Sequence, residues 1–290
     1  MLFLIAAIPF FARIAEVSLR EVDQGLIEAA QAMGCNRKQI LWHVLLPEAL
    51  PGIVAGFTVT IVTMISSSAI AGAIGAGGLG SPVALYLAAS GVGRITVVDH
   101  DLVDETNLQR QIAHNLARVG SPKAESVREA IAAINPDPVV TPITQRADAA
   151  LLDTLVAQAD VVLDCTDNFE TRHAINRACV KHGRPLVSGA AIRMDGQLSV
   201  YDTREAANPC YACVFPEDSG VEETRCATMG VFAPLVGIVG TLQAAEALKL
   251  LAGLGSRMAG QLLMIDGRDL AFTRIGLPAN PACPVCGHRH

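Results

Sequence analysis

Four of the eight cysteines form two Cys-x-x-Cys pairs, Cys210/Cys213 and Cys283/Cys286. Each pair can present two thiols to a metal such as zinc. In a chain of this length, such pairs indicate metal binding in a reducing compartment rather than a disulfide framework. A redox-active pair is the alternative, but redox motifs follow a strand and open a helix, and neither pair is placed that way in the sequence. The 69 residues between the pairs leave open, from spacing alone, whether both bind one ion.

A second chemical signal is the hexamer Gly-Ala-Gly-Gly-Leu-Gly at residues 75–80. Its glycines Gly75, Gly77 and Gly80 fit the spacing G-x-G-x-x-G, which makes a tight turn and lets backbone amides approach a phosphate. Apolar membrane helices also collect glycines, so the hexamer alone is a weak signal. Asp99 ends a predicted strand nineteen residues after Gly80, where a carboxylate can bind ribose hydroxyls or can simply be a strand-end residue.

Strand-like and helix-like segments alternate after the hexamer. Two short runs rich in β-branched residues, Ile95–Asp99 and Val161–Asp164, are predicted as buried parallel strands. Pro82–Ser90 and Lys123–Ile134 are predicted as helices between them, and Ala233–Leu251 as a core or dimer-surface helix. This alternation predicts an α/β fold, namely a Rossmann-like, doubly wound and mostly parallel sheet.

Composition and charge exclude some classes of function. The net charge is −6 and no run of Lys or Arg is present, so we predict no nucleic-acid partner. Residues 52–74 form an uncharged apolar run close to the ~20 residues that cross a bilayer, so we predict a helical, membrane-type segment there. The apolar residues 1–12 lack the basic region of a secretory signal, and we interpret them as part of a membrane helix.

The residues that follow the hexamer complete a recognisable pattern. They include Asn107-Leu-Gln-Arg-Gln, then Lys123, then Asp164-Cys-Thr-Asp-Asn. With these motifs, residues 75–290 resemble the MoeB/ThiF/HesA family, the bacterial relatives of ubiquitin-activating enzymes. The resemblance implies a cytoplasmic homodimer that uses ATP and Mg²⁺ to adenylate the C-terminal Gly-Gly of a ubiquitin-like sulfur-carrier protein. The run at residues 185–197 favours the molybdopterin-synthase branch, with the thiamine-pathway branch as the alternative.

Adenylation sets physical demands on the site. A carboxylate that attacks the α-phosphate meets like-charge repulsion, so cations and backbone donors must surround the phosphates. No general base is needed, because the carrier's carboxylate is already ionised near neutral pH. The resemblance implies catalytic roles for Arg110, Lys123 and Asp167, the last also as the magnesium ligand. The implied ATP-binding residues are Gly75, Gly77, Gly78, Gly80, Asp99, Thr106, Asn107, Leu108, Gln109, Arg110, Lys123, Asp167 and Asn168.

The resemblance also gives roles to the cysteines. Distant Cys-x-x-Cys pairs form one structural zinc site in the family, so we expect a four-cysteine zinc site made by Cys210, Cys213, Cys283 and Cys286. Cys226 lies where some relatives carry a loop cysteine that handles sulfur. We take it as a tentative catalytic residue, with an incidental role as the alternative.

The first quarter of the chain, residues 8–80, carries a different resemblance. Glu28-Ala-Ala, Gly34 and Leu46-Pro match the cytoplasmic EAA loop of ABC-transporter permeases, here of the D-methionine importer type. We therefore divide the chain into a truncated permease-like helical segment, residues 1–68, and an adenylyltransferase domain, residues 69–290. A helical pair followed by a buried hairpin is the alternative for the first segment. For the whole chain the alternatives are a membrane-anchored permease fragment and an inactive chimera.

The junction between the two segments creates a conflict. The family's N-terminal segment, whose arginine reaches the partner subunit's ATP site, is replaced here, and this predicts weak activity. Ser68–Ile74 must supply the first strand although it is poor in β-branched residues. Residues 52–67 would then be shorter than the ~17–25 residues of a membrane span. We expect the sheet to form, and residues 1–67 to contact a membrane surface or to expose an apolar face.

Overall fold

The computed structural model describes residue 12 and residues 15–54, 70–217 and 230–287. The chain divides into two compact units, residues 1–67 and residues 68–290. The apolar run at residues 52–74 lies mostly outside the described residues, but its last five residues, Ile70–Ile74, form a strand, so the expectation that the sheet includes them is confirmed. The contact of residues 52–67 with a membrane surface stays a prediction.

The described part of the first unit is helical. Helix α1, Gln24–Ala32, begins at Asp23, whose carboxylate accepts the Gly25 amide at 2.6 Å. Helix α2, Arg37–Ile40, begins with a capping box and continues into a π-helical turn, Leu41–Leu45, and helical residues 46–54. Large apolar side chains remain exposed on this unit, including Met33 at 77% and Trp42 at 66%.

The second unit is built on one eight-stranded sheet in the order β3-β2-β1-β4-β5-β6-β7-β8. Strands β1 to β5 pair in parallel and β5 to β8 pair antiparallel. The order reverses direction at β1, which lies between β2 and β4, and the carboxyl ends of such strands are where α/β sheets bind ligands. The strands are β1 Ile70–Ile74, β2 Arg94–Val98, β3 Val139–Ile143, β4 Val161–Asp164, β5 Leu186–Ile192, β6 Asp195–Tyr201, β7 Gln261–Asp266 and β8 Ala271–Gly276.

Strand β1 resolves part of the conflict at the junction. Ile70–Ile74 pairs with β2 on one side and β4 on the other, so these residues lie in the middle of the sheet. Ala71 and Ile74 of this strand are buried, and Gly72 packs beside Ala159, from which a Cβ at position 72 would be 3.8 Å away. Packing between neighbouring elements therefore outweighs the low β propensity of this segment.

Six helices of the second unit are described, and four of them, α3, α5, α6 and α8, pack on the central strands β1 and β4. Helix α8 packs on α3 and on strands β4 to β6, while α5 and α6 pack on one another. The hydrophobic core beside α5 and α6 includes Leu152, Val162, Ile175 and Leu186, which are all nearly inaccessible to solvent. The helices are α3 Gly80–Ala89, α4 Lys123–Ile134, α5 Ala149–Gln158, α6 Phe169–His182, α7 Tyr211–Val214 and α8 Ala233–Leu251.

Among the described residues, α8 is the one helix long and apolar enough to cross a membrane. It belongs to the core of the second unit, since Gln243 and Glu246 within it are buried. Gln243 donates from Nε2 to the Asp164 carbonyl oxygen at 2.7 Å, and Glu246 pairs with Lys249 at 2.5 Å. The helix therefore serves as the predicted core helix.

Candidate nucleotide site and cysteine cluster

The hexamer forms the turn between β1 and α3. At Gly75 and Gly80 another part of the backbone lies so close that there is no room for a side chain. Gly75 has a φ of +96°, in the region that favours glycine. A Cβ on Gly80 would lie 1.8 Å from the Gly75 carbonyl oxygen, and one on Gly78 would lie 2.7 Å from Val236 Cγ1 in α8. The turn therefore needs glycine at Gly75 and Gly80, two positions of the G-x-G-x-x-G spacing, and also at Gly78, which lies outside that spacing.

Asp99 holds the turn from the end of β2. Its Oδ2 accepts the Ala76 amide at 2.6 Å, and its Oδ1 accepts the Asp101 amide at 2.9 Å. Burial raises the pKa of the Asp99 carboxyl, while these two amides and the charge of Lys123 oppose that shift. Each carboxylate oxygen can accept another hydrogen bond, so the group can still bind ribose hydroxyls, which is the role proposed for it.

The Asn107–Arg110 segment lies against the glycine turn. A Cβ on Gly78 would be 3.7 Å from both Cγ and the carbonyl oxygen of Arg110. The guanidinium of Arg110 donates to Asn107 Oδ1 at 2.7 Å, which orients the fork. The segment opens with a 3₁₀ turn, Glu105–Asn107, which Asp104 caps. Leu108 is half-buried, while Thr106 and Gln109 are exposed in the same segment.

Lys123 is the first residue of α4, and its side chain is 6% exposed. Its ammonium donates to Asp101 Oδ2 at 2.8 Å, which leaves two of its three protons for a ligand. Because Asp101 also donates its amide to Asp99, the lysine lies beside the carboxylate at the end of β2. The structure thus brings together the glycine turn, Asp99, Arg110 and Lys123.

The loop after β4 closes the site on the other side. The Cys165 carbonyl oxygen would lie 2.8 Å from a Cβ on Gly75, and the Cys165 amide donates to the Ile74 carbonyl at 2.9 Å. Asp167 is exposed at this edge of the sheet. Asn168 caps α6 by accepting the Thr171 amide at 2.8 Å, so its oxygen already has a structural role.

Behind this loop lies a buried ion pair that the sequence analysis did not predict. Asp164 and Arg172 lie 3.8 Å apart with side-chain exposures of 1% and 8%. Arg172 also donates to the carbonyl oxygens of Thr166 and Gly189, and Asp164 Oδ2 accepts the Ser188 hydroxyl at 2.8 Å. The sequence places Asp164 at a strand end, but it holds no signal for a partner eight residues later in the next helix.

The four paired cysteines form one cluster. Their sulfur atoms all lie within 4.8 Å of one another, with Sγ–Sγ distances of 3.9 Å for Cys210–Cys213, 3.7 Å for Cys210–Cys283 and 3.4 Å for Cys213–Cys286. A tetrahedral ZnS₄ centre with bonds of about 2.3 Å has sulfur–sulfur edges of about 3.8 Å. The cluster therefore fits a metal ion, with both pairs in one site.

Two details of the cluster differ from or extend the sequence analysis. Cys210 is the N-cap of the four-residue helix α7, so this pair does open a helix, but residues 202–209 separate it from the end of β6 and it does not directly follow a strand. Metal binding is favoured over a redox role because all four sulfur atoms lie within 4.8 Å of one another. Burial and the neighbouring Cys213 raise the pKa of the Cys210 thiol, and a bound cation would offset that cost of ionisation.

Asn176 of α6 was not predicted to contact the cysteines. Its Nδ2 lies 3.6 Å from Cys210 Sγ, and its Oδ1 accepts the Tyr211 amide at 2.9 Å. The tentative catalytic residue Cys226 lies outside the described residues, so its role stays a prediction.

The fold and the site define a protein class when they are compared with known proteins. The model of the ThiF family matches residues 55–285, and the chain therefore belongs to that family. The model of the binding-protein-dependent transport system inner membrane component matches residues 1–93, which agrees with a chain of two origins.

Individual relatives narrow this class. The molybdopterin-synthase adenylyltransferase of Escherichia coli (strain K12) is 46% identical over 214 residues, which are 74% of this chain and 85% of that protein. The sulfur carrier protein ThiS adenylyltransferase of the same organism is 44% identical over 214 residues, covering 74% and 84%. The crystal structure of E. coli MccB with ATP superposes with a TM-score of 0.69 at 22% identity, covering 82% of this chain and 74% of that chain, and supports the fold.

Proposed function

We propose that this chain is an ATP-dependent adenylyltransferase that activates the C-terminal glycine of a ubiquitin-like sulfur-carrier protein. The observation that carries the proposal is the convergence of the glycine turn, Asp99, Arg110 and Lys123 at the point where the sheet reverses. The chain is also 46% identical to a molybdopterin-synthase adenylyltransferase across that unit.

The reaction needs no covalent help from the protein. A carboxylate oxygen of the carrier forms a bond to the α-phosphorus of ATP, and the bond from that phosphorus to pyrophosphate breaks. The negative charge that moves onto pyrophosphate must be stabilised. Arg110, oriented by Asn107, supplies a fork of donors, and Lys123 supplies a compact charge. The amides of the glycine turn and the N-terminus of α3 add backbone donors.

The cofactors follow from the donor chemistry. Asp167 offers the exposed carboxylate oxygen that Mg²⁺ prefers, at the carboxyl end of β4. Mg²⁺, when bound there, neutralises charge on the phosphates. The cysteine cluster would hold Zn²⁺ in a structural role, because four thiolates leave no coordination position open for a substrate.

The identity of the carrier is the finer part of the proposal. We favour the small subunit of molybdopterin synthase, with the thiamine-pathway carrier second, in line with identities of 46% and 44% to the two E. coli adenylyltransferases. A pyrophosphate-exchange assay with each purified carrier in turn would rank them.

The central experiment is exchange of labelled pyrophosphate into ATP. We expect exchange only when a carrier ending in Gly-Gly is present, and none with the same carrier lacking its last glycine. Hydrolysis of ATP to ADP without any carrier would instead indicate an ATPase and would contradict the proposal.

We further propose a homodimer formed by the apolar surface beside Arg110. Ile112 and Leu116 are 60% and 69% exposed there, although both are large apolar residues. Sedimentation should show a dimer, and Ile112→Glu with Leu116→Glu should shift it to monomer. A parent chain that sediments as a monomer at micromolar concentration would contradict this.

Residues 1–68 form a separate, permease-like segment in this proposal, supported by the transport-component match to residues 1–93. Because this segment replaces the family's arginine-bearing N-terminus, we expect weak exchange activity. Grafting such a segment in front of residue 69 should raise turnover. We place the adenylyltransferase domain in the cytoplasm, with residues 1–67 on a membrane surface; co-sedimentation of the full chain, but not of residues 69–290, with lipid vesicles would test that contact.

A further inference from the structure

His114 is a buried histidine that the proposed reaction does not use. Its side chain is 6% exposed and lies between the glycine turn and helix α4. Its Nε2 is 3.0 Å from the Ala76 carbonyl oxygen, and its Nδ1 is 2.8 Å from Ser126 Oγ. Both ring nitrogens therefore have partners, each in a different part of the nucleotide site.

The two partners fix the protonation state of the ring. A carbonyl oxygen can only accept, so the hydrogen of His114 is on Nε2 and is donated to Ala76. Nδ1 is then an acceptor and takes the hydroxyl hydrogen of Ser126. Burial lowers the pKa of His114; the bond to Ala76 opposes this, and the charges of Lys123 and Arg118 add to it, so the neutral ring is favoured.

The hydrogen bond from His114 to the Ala76 carbonyl also determines where the Gly77 amide points. In a trans peptide the carbonyl of one residue and the amide of the next point in opposite directions. A carbonyl of Ala76 that points at His114 therefore turns the Gly77 amide away from His114. The Gly77 and Gly78 amides have no backbone acceptor among the described residues. Glycine cannot hold such a peptide by its own torsional preference, so an outside contact must do it.

The peptide before Ala76 is fixed in the same manner. The Ala76 amide donates to Asp99 at 2.6 Å, so the Gly75 carbonyl points to the opposite side, where it meets Gly80. Asp99 and His114 thus hold the two peptide groups of Ala76, one by its amide and one by its carbonyl.

The other nitrogen of the ring joins this turn to the helix that carries the lysine. Ser126 lies in the first turn of α4, three residues after Lys123. Arg118 donates to the carbonyl oxygens of Ala113 and Ser126, and to the Ser126 hydroxyl at 3.2 Å, which fixes this end of the bridge. His114 therefore links the glycine turn to α4, in addition to the link that Asp99 and Asp101 make between that turn and Lys123.

We propose that His114 is a positioning residue for phosphate recognition, which holds the Ala76 carbonyl so that the Gly77 amide faces the bound phosphates and links that turn to the helix that carries Lys123. The inference rests on the proposed function of the site. It predicts that the hydrogen bond to Ala76, and not merely the volume of the ring, determines affinity for ATP.

Two amide variants separate these contacts. In His114→Gln the amide nitrogen reaches about as far as Nε2 and can donate to Ala76, whereas in His114→Asn it reaches only the Nδ1 position, near Ser126. We expect His114→Asn to weaken ATP binding about ten- to hundredfold, because it leaves a buried carbonyl unsatisfied and frees the turn. His114→Gln should stay within about threefold of the parent chain.

The measurements are ATP affinity by calorimetry and backbone hydrogen exchange of residues 75–80 without ATP. Exchange in that peptide should be faster in His114→Asn than in His114→Gln, which a role limited to core stability would not produce. His182→Asn is the matched control, since His182 contacts Asp153 at 2.7 Å on α5, away from the turn, and should bind ATP as the parent does.

The outcomes are distinguishable. If His114→Asn binds ATP as tightly as the parent, or if both amide variants lose affinity and exchange protection equally, the positioning role is overturned while the proposed function stands. If the parent chain itself binds no ATP, the proposed function fails and this inference fails with it.

Discussion

The nucleotide site and the cysteine cluster each contact helix α6, through Asn168 at its start and Asn176 within it, and they are completed in different ways. In the nucleotide site the charged side chains already have protein partners: Asp99 has two backbone amides, Lys123 has Asp101 and Arg110 has Asn107. In the cysteine cluster four sulfur atoms lie within 4.8 Å of one another. The first region is organised by contacts within the protein, whereas the second has the geometry that a bound cation would complete.

The difference has an energetic consequence. An exposed ligand-binding side chain such as Asp167 can be removed with little change in folding free energy, because its loss leaves no buried group unsatisfied. Four thiols in one buried cluster repel when they ionise, and a bound metal removes this penalty and becomes part of the folding free energy. Mutations in the two regions should therefore separate activity from stability.

The largest expected effect is loss of the metal. Zinc binding contributes on the order of 10 kcal/mol to folding in small zinc domains, so Cys286→Ser should bind no zinc and melt far below the parent chain. Cys35→Ser, in the first unit, is the control and should keep one zinc per chain. Elemental analysis that finds no zinc in well-folded parent protein would remove the distinction between the two regions.

Next in size is the buried pair behind the nucleotide loop. Arg172→Met leaves Asp164 buried without its cation and should destabilise the chain by about 3–5 kcal/mol. Arg146→Met removes an exposed contact with Glu170 and should change stability by about 0–1 kcal/mol. Urea unfolding measures both. Equal, small effects would show that the nucleotide end of α6 does not depend on this pair.

The third prediction is an effect on chemistry at constant stability. Asp167→Ala should lower pyrophosphate exchange at least about a hundredfold, the loss typical for one group that stabilises transition-state charge. Its melting temperature should match that of the parent, because the residue is exposed. Asp137→Ala, an exposed control in a different loop, should change neither quantity. Full exchange activity in Asp167→Ala would exclude a magnesium role for that carboxylate.

Much of the fold could be predicted from the sequence because it depends on local pattern. The predicted strand Val161–Asp164 and the predicted helices Lys123–Ile134 and Ala233–Leu251 agree with the structure at both ends. Helix α3 begins at Gly80 rather than at the predicted Pro82. Proline fits in the first turn of a helix, because the amide hydrogen that it lacks would have no acceptor within the helix there.

Boundaries and contacts that depend on residues distant in the sequence could not be predicted from local sequence pattern. Strand β2 ends at Val98 instead of Asp99, because the Asp99 side chain turns to the Ala76 amide from a different loop. His114 gives no sign in sequence that it meets Ala76, 38 residues earlier. The glycine spacing predicted the turn, but the side chains that hold its peptides come from separate elements that only the tertiary structure brings together.

The smallest predicted effect concerns Asn176, which lies on α6 and contacts the cysteine cluster. Its Nδ2 contacts Cys210 Sγ and its Oδ1 holds the amide of Tyr211, inside the Cys210–Cys213 turn. Asn176→Leu keeps the volume but loses both contacts, so metal affinity should fall about 10–100-fold, as for other outer-shell partners of metal ligands. Competition with a chromophoric chelator measures this on folded protein.

The control for Asn176 must lose a comparable hydrogen bond elsewhere. Asn135 donates to the Ala88 carbonyl at 2.9 Å, so Asn135→Leu should lower stability by about 1 kcal/mol and leave metal affinity unchanged. If Asn176→Leu behaves like Asn135→Leu, Asn176 only packs beside the cluster. If it lowers metal affinity and leaves ATP binding intact, the two regions are functionally independent although they share a helix.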